Sequence, residues 1–183
     1  MMHNRNAWAI APLMALSLAA CSGEADKSAD GAPPAPTNQT LAEVIADKGE
    51  MDTLEGVIRN AGLSDVLAGK GPYTVFAPAD AALGAAGSDL SDEAMKAQGA
   101  ALLRAHIVPG ALTRADILAA LERGGTGGVQ MRTMADGLLT FSRDGDAVTV
   151  TAADGATARL TGDETVAANG VVQPVDGLLV KAE

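Results

Sequence analysis

Apolar positions follow two regimes along this chain. Up to about residue 103 most recur at helical spacing, and from Val129 onward they alternate with polar ones. Thr40-Leu41-Ala42-Glu43 has the spacing of a capping box, and Leu41, Val44 and Ile45 place one apolar face on a short helix ending near Gly49. A second helix is predicted from about Asp52, with Leu54, Val57, Ile58 and Ala61 on one side and Gly62 as its stop. Ser64 is placed to cap a third short turn carrying Val66 and Leu67. Tyr73-Thr74-Val75-Phe76 then interrupts the helices with the β-branched and aromatic composition of a buried strand. Pro78 lacks a ladder donor, so the strand should stop near Ala77, and Asp80 is expected to cap a helix starting at Ala81. Ser91-Asp92-Glu93 opens another helix that runs towards Leu102 and Leu103.

Beyond Val129 the period is two. Val129 and Met131, then Leu139 and Phe141, then Val148 and Val150, then Ala158 and Leu160 each mark one side of a strand. Asp136-Gly137, Asp144-Gly145 and Asp154-Gly155 separate them, and both residue types tolerate the positive φ of tight hairpin turns. This predicts a meander of four antiparallel strands. Gly124-Gly125-Thr126-Gly127-Gly128 before it is expected to be a flexible connection. Helical first half and strand-rich second half together give an α+β class, in one domain over residues 40–181.

The chain opens differently. Residues 1–20 carry Arg5 and then an uncharged apolar run from Ala7 to Ala20, too short to span a bilayer and of the length of a signal-peptide core. Leu18-Ala19-Ala20-Cys21 resembles the lipobox of bacterial lipoproteins. That resemblance implies cleavage before Cys21, lipidation of this single cysteine, and a membrane anchor. Ser22 after the cysteine favours the outer membrane by the same resemblance. Residues 21–39 hold Pro33, Pro34 and Pro36 with no aromatic residue and no aliphatic one larger than Ala, the composition of a disordered tether.

Charge and composition then narrow the function. The net charge is −10, from 13 basic and 23 acidic residues, and becomes −11 once Arg5 leaves with the leader. Nucleic acid and anionic lipid surfaces both call for basic patches, so neither is an expected partner. Beyond the leader there is one histidine, His106, and one cysteine, which leaves no triad and no zinc site. The glycine-rich run lacks the Lys and helix of a phosphate loop. Asp144-Gly145-Asp146 is explained by its hairpin and lacks the further acidic ligands of a calcium loop, so no metal and no cofactor is assigned. A carboxylate-based hydrolase of envelope polysaccharide is the competing class.

Three stretches resemble the fasciclin domain. Thr74-Val75-Phe76-Ala77-Pro78 followed by Asp80 and a helix is similar to its first signature, Leu102-Leu103-Arg104-Ala105-His106-Ile107-Val108-Pro109-Gly110 to its second stretch, and Asn169-Gly170-Val171-Val172-Gln173-Pro174-Val175-Asp176 with Leu178 and Leu179 to its last. Ala105 stands where many members have Tyr, and Gln173 where His is usual, so integrin binding through a Tyr-His pair is not implied. The resemblance implies a fasciclin-like fold and a non-catalytic role in adhesion or surface organisation, through protein or polysaccharide contacts. It also makes His106, Pro109, Gly110 and Gln173 candidate interaction residues. From the residues themselves, His106 is expected to be a half-buried strand histidine hydrogen-bonded to backbone. Pro174 is expected at a sheet edge or a bulge.

Overall fold

The computed structural model describes residues 34–85, 90–145 and 147–181. The leader, Cys21, the tether as far as residue 33, and Asp146 lie outside the described residues. Three helices come first: α1 (Leu41–Ala46), α2 (Asp52–Asn60) and α3 (Ser64–Ala68). Thr40 and Glu43 form the reciprocal capping box of α1, and Gly62 follows α2 at a φ of +71°. Two local expectations fail here. Ser64 is the first residue of α3 and makes no cap. Asp80 likewise lies inside α4 (Asp80–Gly84) and does not cap it. Its Oδ1 instead accepts from the Thr53 amide at 2.9 Å, closing the N-terminus of α2 from 27 residues away.

Sheet one is built from both halves of the chain. It contains β1 (Tyr73–Pro78), β2 (Ile107–Pro109), β7 (Thr165–Ala167) and β8 (Gly170–Val175), in the order β2-β1-β8-β7. β1 and β8 run parallel, with Thr74 beside Val171 and Phe76 beside Gln173. Between β1 and β2 lie α4 and α5 (Lys96–Ala105), the latter preceded by a 3-10 turn at Glu93–Met95. α6 (Arg114–Gly124) follows β2 and was not among the expected elements. Its start is a capping box of Thr113 and Asp116, and its end uses the glycine-rich run, with Gly125 as cap at a φ of +63°. That run is thus a helix stop and a 3-10 turn rather than a flexible connection.

Sheet two is the expected meander: β3 (Val129–Arg132), β4 (Leu138–Asp144), β5 (Ala147–Ala152) and β6 (Thr157–Arg159), paired antiparallel in chain order. Asp136, Gly145 and Gly155 take positive φ at the three turns.

Sheet one is covered on both faces, because successive side chains alternate across it. Val75, Ala77, Ile107 and Val172 face the helices and pack with Leu41, Leu54, Val57 and Leu103. Phe76, Val108 and Val175 face the other way, against Phe141, Leu139 and Val150 of sheet two and Ile117 and Leu121 of α6. Phe76 and Phe141 meet with ring centroids 5.4 Å apart. Phe76 is fully buried, as the strand's composition led one to expect, whereas Tyr73 is half-buried at the margin of the helix-side core. Before α1, the Thr37 amide donates to Val166 O and the Ala168 amide to Gln39 O, both at 2.8 Å. These two residues of the proline-rich segment therefore lie along the open edge of β7.

Pro174 sits in β8, which is an interior strand with no bulge at that point. A residue's N–H and C=O leave a strand on the same side, and Pro174 O accepts from the Thr161 amide at 2.9 Å. The missing donor thus points away from β1, past the residues that pair with β7. Pro174 therefore sits neither at a sheet edge nor at a bulge, as had been expected, but in an interior strand whose far side is met there by the chain at Leu160 and Thr161.

Candidate functional site

His106 is fully buried at the C-cap of α5, not half-buried in a strand. The Leu179 amide donates to Nε2 at 2.9 Å, so Nε2 is the acceptor of the ring. Nδ1 then carries the proton and donates to Leu102 O at 2.8 Å, satisfying one of the last carbonyls of α5. Burial drives the imidazole well below 6.5, to about 4, although the Leu102 carbonyl pulls the other way. The ring is neutral at physiological pH and ties two stretches 73 residues apart. This is a structural clasp.

Residues of the closing stretch are clasps too. Asn169 Oδ1 accepts from the Leu41 amide at 2.8 Å, while its Nδ2 donates to Leu67 O at 2.8 Å and Gly69 O at 2.7 Å. One side chain thereby fixes the start of α1 and the end of α3. At Gly170 a Cβ would lie 1.9 Å from Tyr73 O, and at Gly71 2.0 Å from Asn169 O, so both positions need glycine for the backbones to approach. Asp176 Oδ1 accepts from the Arg159 amide at 2.6 Å and links β6 to the end of β8.

One candidate segment does reach the surface. Pro109 is exposed, Gly110 is half-buried at a φ of +111°, and the chain from there to Thr113 forms a loop between β2 and α6. Two buried polar side chains of the sheet hold it from below. Thr74 Oγ1 donates to Gly110 O at 2.7 Å and accepts from the Leu112 amide at 2.8 Å. Gln173 Nε2 donates to Leu112 O at 3.1 Å and also to the Glu164 carboxylate. Glu164 in turn accepts from the Arg114 amide at 2.6 Å, at the first turn of α6. Gln173 Oε1 and Arg114 Nε are buried without a partner among the described residues. An open groove of about 600 Å³ runs beside the loop, between residues 68–72 and 166–170, with Ala111 at its lip and Lys70 as its one charged lining residue.

Of the four candidate interaction residues, the structure thus exposes Pro109, half-exposes Gly110, and buries His106 and Gln173 completely. The buried pair cannot touch a macromolecular partner; Gln173 works on the loop from beneath, and His106 lies away from it. Thr74, Glu164 and Arg114 were missed. Thr74 carried no signal, being one more β-branched residue in a strand, but Thr113-x-x-Asp116 ahead of Ile117 and Leu121 announced α6 and so the far end of the loop. Among the described residues no three His, Cys, Asp or Glu side chains come together as a metal site, and no helix is long and apolar enough to cross a membrane.

Comparison with known proteins places this geometry. The fasciclin domain model matches residues 49–181. Protein sll1483 of Synechocystis is 28% identical over 145 residues, covering 77% of this chain and 73% of that protein. Among solved structures, a FAS1 domain pair from the insect cell adhesion molecule Fasciclin I superposes with a TM-score of 0.66 at 15% identity, over 78% of this chain. The chain spans about half the length of that domain pair.

Proposed function

The chain belongs to the fasciclin domain family, generally a cell adhesion or binding module, and from that premise we propose a non-catalytic domain that holds an envelope partner close to a bacterial membrane. The anchor in this reading is an acyl group on Cys21, and the partner is a protein or polysaccharide of the envelope or the cell exterior. Leu18-Ala19-Ala20-Cys21 supports the anchor, and Ser22 favours the outer membrane. The observation that carries the binding role is the loop from Pro109 to Thr113. A surface loop is ordinarily ordered at some entropic cost when it binds, and buried Thr74 and Gln173 remove that cost in advance.

Gene deletion tests the reading, with attachment and aggregation measured and complementation by wild type and by a soluble Cys21→Ala form. Wild type should restore attachment and Cys21→Ala should not. Intact mass of the membrane-extracted protein should show acylated Cys21 as its first residue. Unchanged attachment on deletion, with no envelope partner recovered by pull-down, would sink the adhesion role. Turnover in a panel of envelope-glycan hydrolase assays, abolished by one polar substitution, would overturn the non-catalytic role.

A further inference from the structure

Sheet one ends at β7, and β8 holds only one side of that strand. Along the other side lie the last residues of the proline-rich segment. Its two backbone bonds, from the Thr37 amide to Val166 O and from the Ala168 amide to Gln39 O, progress in the same sense, so residues 37–39 run parallel to β7. Side chains seat the segment as well. Thr37 is half-buried with its hydroxyl oxygen out of reach of solvent, and Gln39 Nε2 donates to the Asp47 carboxylate at the end of α1. Upstream, Pro34 and Pro36 fix their own φ and Pro36 keeps Ala35 extended, so little entropy is lost in laying this stretch down.

What β7 carries gives this strap its consequence. Glu164 immediately precedes the strand, and its carboxylate accepts from the Arg114 amide at 2.6 Å and from Gln173 Nε2. Arg114 is the far foot of the Pro109–Thr113 loop, where the chain enters α6. Its guanidinium donates to Gly162 O at 2.9 Å and Thr161 O at 3.2 Å, so the foot stands wholly on residues 161–164, the stretch that leads into β7. The near end of the loop is held separately, by Thr74 at Gly110 and Leu112. Only three residues of β7 pair with β8, so the two strap bonds are a large share of what fixes the strand beside Glu164.

We propose that residues 34–39 are a strap that positions the far foot of the Pro109–Thr113 loop through β7 and Glu164, so that the tether regulates the loop. The proposal rests on the adhesion reading of that loop and adds the membrane-proximal segment to what holds it. A pull from an anchor at Cys21 reaches residues 34–39 before α1, because they come first in the chain. Lifting them off β7 loosens the Arg114 foot while the Thr74 end stays bound.

The test follows amide hydrogen exchange in the detergent-extracted full chain as wild type, Thr37→Pro and Thr37→Val. Thr37→Pro deletes the donor to Val166 O and suits the extended chain after Pro36. Exchange at the Arg114 amide should rise about fivefold, the equivalent of one hydrogen bond, while Leu112 and the strands β4 and β5 keep their rates. Thr37→Val retains the backbone donor and should leave Arg114 at the wild-type rate. An unchanged Arg114 rate in Thr37→Pro overturns the proposal. So does an equal rise at Arg114, Leu112, β4 and β5, which would report global destabilisation, and so does the same selective rise in Thr37→Val. Pull-down of an envelope partner separates this from the adhesion reading. Capture by wild type with an unchanged Arg114 rate in Thr37→Pro removes the strap and keeps the adhesion role. A selective rise at Arg114 in a chain that captures nothing as wild type upholds the strap and removes the adhesion role.

Discussion

The two faces of sheet one use neighbouring residues for different ends. Val75 and Thr74 are adjacent in β1, nearly equal in volume, and both buried. Val75 points at the helices into a wholly apolar layer with Ala77, Ile107 and Val172. Thr74 points at sheet two, where Phe76 and Val108 are apolar but Gln173 is not. The helix face contributes burial alone. The opposite face gives up some apolar contact to carry two posts for the Pro109 loop, and one amide oxygen, Gln173 Oε1, has no partner there among the described residues. A core layer with polar posts can position a surface; an apolar one cannot.

The sharpest break of that comparison is Phe76→Ala. Phe76 is fully buried, rests on Phe141, and is the largest apolar residue that sheet one contributes beside the posts. Its truncation should lower the unfolding free energy by about 3–5 kcal/mol in urea titrations, the usual range for a buried Phe. A loss below about 1 kcal/mol would mean that this face is not tightly packed and that the posts are not held by it.

Acid should act next most strongly, through His106. Its native value near 4 lies below the unfolded 6.5, so the unfolded chain binds the extra proton between those limits. The clasp is at full strength above pH 6.5. It weakens as pH falls and has lost about 3 kcal/mol near pH 4. Denaturant midpoints of wild type and His106→Gln, compared from pH 7 to 4, should converge as the pH drops. Parallel curves would show that His106 is not a neutral clasp. The comparison cancels the lowered carboxyls of Asp116, which Thr113 hydrogen-bonds, and of Asp154, where amides of Ala156 and Lys181 outweigh burial.

Much of this architecture was legible because local chemistry dictated it. The Thr40–Glu43 box, the Tyr73 strand and the Asp-Gly hairpins each depend on residues within a few positions of one another. What escaped was tertiary. Asp80 has the same sequence context whether it caps its own helix or Thr53 of α2, and only the packing of α4 beside α2 chooses. Tyr73 and Phe76 look alike in a strand, yet alternation sends them to opposite faces and the edge of the core takes Tyr73. Gln173 has no period or motif that marks it as a post, since Leu112 and Glu164 reach it only after β8 joins β1.

The finest test of the comparison exchanges its two chemistries. Val75→Thr puts a hydroxyl into the apolar helix side with no partner, at a cost of about 1–3 kcal/mol. Thr74→Val removes the post and frees the Gly110 carbonyl and the Leu112 amide, but both belong to a surface loop that water can reach. Its cost in global stability should therefore be smaller, about 1 kcal/mol. The larger consequence is local. Hydrogen exchange at the Leu112 amide should accelerate well beyond what the global loss explains, and exchange in β4 and β5 should not. Val75→Thr should do the reverse, lowering stability without loosening Leu112 selectively. If Leu112 exchanges alike in both variants, the loop is not held by Thr74, and the division of labour between the two faces does not exist.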